Sequence, residues 1–220
     1  MKYTTILFDS DDTLLDFKAS ERQAIYRAFE LANLPFDEEI RAVYSEINHG
    51  LWKALERAEI STEELLCERF RRLFERYCYD YDPSAMNDLY FNCLSETAFT
   101  MQGAVEVLEY LSGRYELDII TNGVGYIQTA RLGNADIRKY IKHLFISGEI
   151  GISKPHKGFF DYVLSHIDEK DKSKILVIGD SLTSDIKGAI NAGLDSVYIG
   201  EGESQATYCV SNILELKNIL

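Results

Sequence analysis

The chain has 220 residues, 46% of them hydrophobic, which is enough to bury a sizeable core in one large domain or in a core with a smaller appendage. Its 36 acidic residues outweigh 23 Lys and Arg, and the net charge of −13 sets a mean surface field that repels polyanions. Nucleic-acid polymers and anionic membranes are therefore not its expected partners, whereas a small anion can still bind where a lysine, a helix N-terminus or a bound cation reverses the field locally.

Along the chain, Tyr3–Phe8 is an oily, β-branched run that predicts a first strand ending near Phe8. Helical patterns follow. Ser20 with Gln23 makes a capping-box signature before Ala24, Ile25, Ala28, Phe29 and Ala32, and Ile40, Val43, Tyr44, Ile47, Leu51 and Leu55 recur at helical spacing. Ser61 with Glu64 is a second capping box, ahead of Leu65, Leu66, Phe70, Leu73, Phe74 and Tyr77, and Pro83 precedes Met86, Leu89, Tyr90 and Cys93. Amphipathic helices joined by short connections predict a small bundle over residues 17–96. A helix near Ala104–Leu111 then returns to the core.

From there strands and helices alternate: strands at Glu116–Thr121, Lys142–Ser147, Lys174–Gly179 and Asp195–Ile199, and helices at Gly125–Gly133, Lys157–Ile167 and Ser184–Ala192, with Gly193 as a C-cap. Near-continuous apolar runs such as ILVIG fit strands buried on both faces, and the alternation predicts right-handed βαβ units. The connection from the first strand to the second is far longer than a crossover needs, so the helical bundle reads as an insertion. The expected fold class is α/β: a Rossmann-like, doubly wound parallel sheet from residues 1–16 and 97–220, interrupted by the inserted bundle.

The remaining composition is quiet. Cys67, Cys78, Cys93 and Cys209 lack C-x-x-C spacing and are read as reduced thiols, and His49, His143, His156 and His166 are scattered without metal-ligand spacing. No apolar run has the length of a membrane span, and an early carboxylate interrupts what a signal peptide would need as its apolar core, so a cytoplasmic location is expected.

In an open parallel sheet, ligands gather beyond the carboxyl ends of the strands. Those ends deliver Asp9 and Asp11; then Thr121, Asn122 and Gly123; then Lys154; then Asp180, Ser181 and, one turn on, Asp185. If the first and fourth strands are neighbours, Asp9 and Asp180 face each other. Two such charges about 5 Å apart repel by roughly 3 kcal/mol at an effective dielectric near 20, so both stay ionised only beside a compensating cation. Hard oxygen ligands favour Mg²⁺, which shares its remaining positions with water and phosphate.

These residues resemble the motifs of the haloacid dehalogenase superfamily. Asp9-Ser10-Asp11-Asp12-Thr13 is similar to D-x-D-x-T after an apolar strand, Thr121-Asn122-Gly123 to the second motif, Lys154-Pro155 to the third, and Gly179-Asp180-Ser181 with Asp185 to G-D-x-x-x-x-D. The resemblance runs over the whole chain and implies phosphoryl transfer. Asp9 would be the nucleophile and Asp11 the general acid and base. Mg²⁺ would be held by the side chains of Asp9 and Asp180 and the backbone carbonyl of Asp11, with Asp185 a direct or indirect partner. Thr121, with Asn122 and Gly123, would bind the phosphate, and Lys154 would neutralise it and hold Asp9. The acid at Asp11 favours a phosphatase or phosphomutase over a dehalogenase. The insertion is similar to the helical cap of small-molecule phosphatases, where a cap excludes water and selects the leaving group.

A finer resemblance, carried by FDSDDTLLDF, INHGLWKALERAEISTEELLCERF and GDSLTSDI, is to the pyrimidine 5′-nucleotidases, with Ser10 departing from the usual apolar residue. It implies a small phosphorylated metabolite as substrate, a pyrimidine nucleoside 5′-monophosphate first and a sugar phosphate or other small organophosphate second, with Phe17, Asn48 and Trp52 as candidate contacts to the leaving group. The competing reading for Trp52 is core packing. Asp12 and Asp16 are read as turn residues, and Asp185 could merely favour the helix N-terminus that it starts. Gly123-Val124-Gly125 begins a dinucleotide-binding pattern, but Gln128 stands in the third glycine's place, which argues against a nicotinamide or flavin enzyme. A non-catalytic binder is disfavoured because no acid, nucleophile or lysine is missing.

Overall fold

The computed structural model describes residues 2–220. The chain divides into two compact units, Met1–Phe17 with Ala98–Leu220, and Lys18–Thr97.

The first unit is built on β1 (Thr5–Phe8), β2 (Glu116–Thr121), β3 (Leu144–Ile146), β4 (Ile175–Gly179), β5 (Asp195–Ile199) and β6 (Tyr208–Val210), parallel throughout and ordered β3-β2-β1-β4-β5-β6. The α/β class is as expected, and β1 does lie between β2 and β4. Side chains alternate faces at period two. Ile6, Phe8, Leu117, Ile119, Leu176, Ile178 and Val197 pack on one side with a helix at Ala104–Ser112. Leu7, Ile120, Ile175 and Val177 pack on the other, against Phe159, Phe160 and Val163 of the helix Lys157–His166. Both faces are dry, which is why the strand sequences read as unbroken apolar runs rather than as alternation.

The sixth strand was not expected, because Tyr208–Val210 is three residues long and takes its identity from pairing with β5, Val197 opposite Tyr208, rather than from its own pattern. The helix expected at Ser184–Ala192 is two pieces, a π-helical turn at Leu182–Ile186 and a regular helix at Lys187–Ala192. Gly193 ends it at φ 71°, as a left-handed C-cap requires.

The second unit holds the helices Phe17–Leu31 (from Lys18 on), Glu38–Glu56, Thr62–Tyr77 and Pro83–Ser95. The capping box predicted at Ser61 is present: Glu64 N donates to Ser61 Oγ at 3.2 Å and Ser61 N donates to Glu64 Oε2 at 2.7 Å. The one at Ser20 is not, since the helix begins three residues earlier and Ser20 is buried inside it. Asp37 and Asp82 cap the second and fourth helices, Asp82 with Pro83 in the first turn. An aromatic core of Tyr44 stacked on Phe70 at 5.4 Å, with Tyr90 at 5.9 Å from both, fills the bundle.

Candidate active site

Chain geometry brings the acidic residues together at the carboxyl ends of β1 and β4. Asp9 continues β1, its N–H donating to Ile178 O at 2.8 Å, and Asp180 follows Gly179 directly. The π turn then places Asp185 back against the strand end: a Cβ on Gly179 would lie 2.3 Å from Asp185 Oδ2, so only glycine fits there. Among the described residues, Asp9, Asp180 and Asp185 form a cluster whose ligand oxygens lie within 4.8 Å of one another.

Lys154 reaches the same place from the segment after β3. Its ammonium is 1% exposed and uses all three of its hydrogens, on Asp9 Oδ1 at 2.6 Å, Asp185 Oδ1 at 2.6 Å and Ile120 O at 2.9 Å. Burial opposes that charge, but Asp185 and Asp9 outweigh it and hold the pKa above its ordinary value. Asp185 is completed by Ser181 N, which donates to Oδ2 at 3.0 Å.

The charges do not balance. One buried ammonium faces three carboxylates, and the strain appears as displaced pKa values. Asp9 is pushed well above the carboxylate range by burial and then by Asp185, against the pull of Lys154. Asp180 is raised to about 7, again by burial first and then by Asp185 and Asp12. A divalent cation would relieve this excess, and an all-oxygen donor set suits Mg²⁺.

The second strand end supplies Thr121, 1% exposed, with Asn122 and Gly123. Asn122 clasps the backbone of Lys154 at both ends of its amide: Nδ2 donates to Lys154 O, and Lys154 N donates to Oδ1, each at 2.9 Å. Gly123 N donates to Ser147 Oγ at 3.2 Å. These bonds hold Lys154 and the loop after β2 together, beside Thr121.

Asp12 sits at φ 60°, and its Oδ1 accepts from Phe17 N at 3.1 Å, the turn geometry that Asp tolerates best after glycine and asparagine. Phe17 is half-buried, with the Arg131 guanidinium 5.5 Å from its ring centroid. In the helical unit Asn48 is buried and its Nδ2 donates to Glu21 Oε1 at 2.8 Å, while Trp52 is half-buried.

Two residues were missed. Gln128 and Arg131, on the helix Gly125–Asn134, are 2% and 1% exposed and both bond Asp11: Arg131 Nη1 to Oδ1 at 2.6 Å, Gln128 Nε2 to Oδ2 at 2.7 Å. The signal was present in the sequence as two polar residues at i and i+3 on the face that also carries Ile127 and Leu132. A second group, Glu116, Asp118 and His143, lies at the opposite end of β2; separation in sequence hid it.

The sequence profile of the haloacid dehalogenase-like hydrolases matches residues 3–193, the span that carries this cluster. The chain belongs to that family. Its similarity to YfnB of Bacillus subtilis is 36% identity over 225 residues, covering all of this chain and 96% of the other, and the magnesium-bound crystal structure of YfnB superposes with a TM-score of 0.94 over 100% of this chain and 99% of that one. The pyrimidine 5′-nucleotidase PynA of Streptococcus pneumoniae is 36% identical over 232 residues (100% of this chain, 98% of PynA), and the pyrimidine 5′-nucleotidase YjjG of Escherichia coli 33% over 226 (100% and 99%). Membership in the haloacid dehalogenase-like hydrolases makes the protein an enzyme of the hydrolase class, and no helix among its described residues is long and apolar enough to cross a membrane.

Proposed function

We propose that this hydrolase is a Mg²⁺-dependent phosphomonoesterase that works through an aspartyl-phosphate on Asp9, with a pyrimidine nucleoside 5′-monophosphate as its substrate class. The observation that carries the reading is the pairing of Asp9 with Lys154 at 2.6 Å beside a second acid two residues on, Asp11. Asp9 attacks phosphorus in line, which splits one hard displacement into two easier ones. Asp11 protonates the departing alcohol, then takes a proton from the water that hydrolyses the intermediate. Lys154 fixes one oxygen of Asp9 and offsets negative charge, and Thr121 donates its hydroxyl to the phosphate. The side chains of Asp9 and Asp180 and the backbone carbonyl of Asp11 would hold Mg²⁺, with Asp185 beside them. The ion, when bound, neutralises charge on the phosphoryl oxygens.

Full-length similarity to two pyrimidine 5′-nucleotidases supports the nucleotide class, with the helical unit as a cap whose Asn48 and Trp52, together with Phe17, are candidate leaving-group contacts. A second reading, a phosphatase of small sugar phosphates, is favoured by 32% identity over 209 residues to a glyceraldehyde 3-phosphate phosphatase of Pyrococcus abyssi. A phosphomutase would use the same Asp9 and Asp11. The deciding experiment is phosphate release from a panel of nucleotides and sugar phosphates with Mg²⁺. Pyrimidine monophosphates are expected to lead, and Asp9→Asn is expected to lower turnover by about 10⁴-fold or more. Full activity in EDTA or in Asp9→Asn removes the mechanism, and faster turnover of sugar phosphates removes the nucleotide assignment.

A further inference from the structure

Asp11 has both carboxylate oxygens engaged from a single helix, Gly125–Asn134. Arg131 Nη1 donates to Oδ1 at 2.6 Å and Gln128 Nε2 to Oδ2 at 2.7 Å. The two donors are tied to each other, Arg131 Nη1 to Gln128 Oε1 at 3.1 Å. The same Gln128 amide also donates to Thr121 Oγ1 at 3.0 Å. A hydroxyl that accepts on that side keeps its one proton for a different acceptor, so Gln128 leaves Thr121 as a donor.

Neither side chain is placed there cheaply. Arg131 is a fully buried guanidinium, and a buried charge is costly unless a partner compensates it; here the partner is Asp11. Gln128 lies flat on the loop after β2, where a Cβ on Gly123 would be 3.0 Å from its Cγ and 3.1 Å from its Nε2. The Phe17 ring lies with its centroid 5.5 Å from the guanidinium carbon of Arg131. Each contact restricts where Asp11 can point.

We propose that Gln128 and Arg131 are positioning residues: a clamp on one helix face that aims the Asp11 carboxyl and orients the Thr121 hydroxyl together, so that the proton carrier and the phosphate anchor move as one rigid group. The inference rests on the assignment of Asp11 as acid and base. Both residues bond the Asp11 carboxylate, and neither is given a role on phosphorus or on the attacking and leaving oxygens. Their effect passes through Asp11 and Thr121, and it falls on the steps that move a proton, namely protonation of the leaving oxygen as the ester P–O bond breaks and removal of a proton from water as the new P–O bond forms.

The test uses the full chain with Mg²⁺ and two probes, an alkyl phosphate whose leaving group needs a proton and p-nitrophenyl phosphate whose leaving group does not. Arg131→Gln is expected to lower kcat for the alkyl phosphate about 100-fold with KM changed less than about threefold. With p-nitrophenyl phosphate, nitrophenolate is expected in a burst near one equivalent before slow turnover, because only the hydrolysis of the phosphoenzyme is impaired. In an Asp11→Asn background the same substitution is expected to add less than about threefold, since its route is already lost. Gln128→Met, close in volume, repeats the measurements should Arg131→Gln fail to fold, and is expected to raise KM as well, through Thr121. A burst rate with p-nitrophenyl phosphate that falls as far as phosphorylation by the alkyl phosphate, or a full additional loss on top of Asp11→Asn, overturns the inference alone. A wild-type chain that releases phosphate from neither probe overturns the functional reading and the inference with it.

Discussion

The sheet carries a charged cluster at each end of β2, and the two are built on opposite terms. At the amino end Asp118 is wholly buried, but its Oδ1 accepts from His143 N and lies 2.9 Å from His143 Nδ1, and Lys142 bonds both Glu116 and Asp168. There, basic groups stand beside the acids. At the carboxyl end the Lys154 ammonium is bonded to Asp9 and Asp185, with Asp180 in the same cluster. At the amino end Lys142 and Asp168 face solvent, which screens the excess of acids there, whereas Lys154, Asp9 and Asp185 are buried, where excess charge costs stability. The buried excess at the carboxyl end is tolerated where a cation and a substrate alter the balance, and its burial separates the site from the other cluster more sharply than acidity does.

That contrast can be broken at its strongest point first. Lys154→Met leaves Asp9 and Asp185 buried without their cation and is expected to cost about 3–5 kcal/mol, read from urea unfolding. A cost below about 1 kcal/mol would mean that the ammonium is not balancing this end. The amino-end cluster should respond less: Asp118→Leu strands the His143 donors at about 1–3 kcal/mol while phosphate release stays at the wild-type rate. A parallel loss of activity and of stability in that variant would erase the distinction between the ends.

The pH dependence sharpens the comparison. Asp180 is held near 7 in the folded protein against 3.8 in an unfolded chain, so its contribution to stability is present below about pH 4 and is lost as pH rises through 7. Mg²⁺ binds the ionised form. The rise in melting temperature on adding Mg²⁺ is therefore expected to grow from about pH 5 to about pH 8. A shift that is independent of pH would place the ion elsewhere. The smallest expected effect, far from either cluster, is Ser61→Ala, which removes one neutral capping bond for about 1 kcal/mol, or some 2–4 °C in Tm.

What the sequence revealed of the site follows from chain geometry. Asp9, Asp180 and Lys154 stand at or just beyond strand ends, where the pattern of apolar runs stops, and the order of the sheet then brings them together. Asp185 needed the fixed distance from Asp180 to be noticed, and the close pass over Gly179 explains that distance. Gln128 and Arg131 were harder to see because they lie within a helix rather than at a strand end, and Gln128 attracted attention only as a glycine that was not there. Among the elements, β6 escaped because a three-residue edge strand has too short a pattern to register, and Ser20 misled because a capping signature can also occur inside a helix.

The clasp between Asn122 and Lys154 bears on how the protein ages. Asn followed by Gly is the dipeptide most prone to deamidation, a reaction in which the glycine nitrogen attacks the asparagine side-chain carbonyl to close a succinimide ring. Here the side-chain amide is pinned at both ends by the Lys154 backbone and the glycine N–H is donated to Ser147 Oγ, so the two groups are held from turning onto each other. The folded chain thus shields its most labile peptide link with the same bonds that hold its buried lysine, and conditions that loosen this loop would convert a reversible opening into permanent chemical damage beside the site.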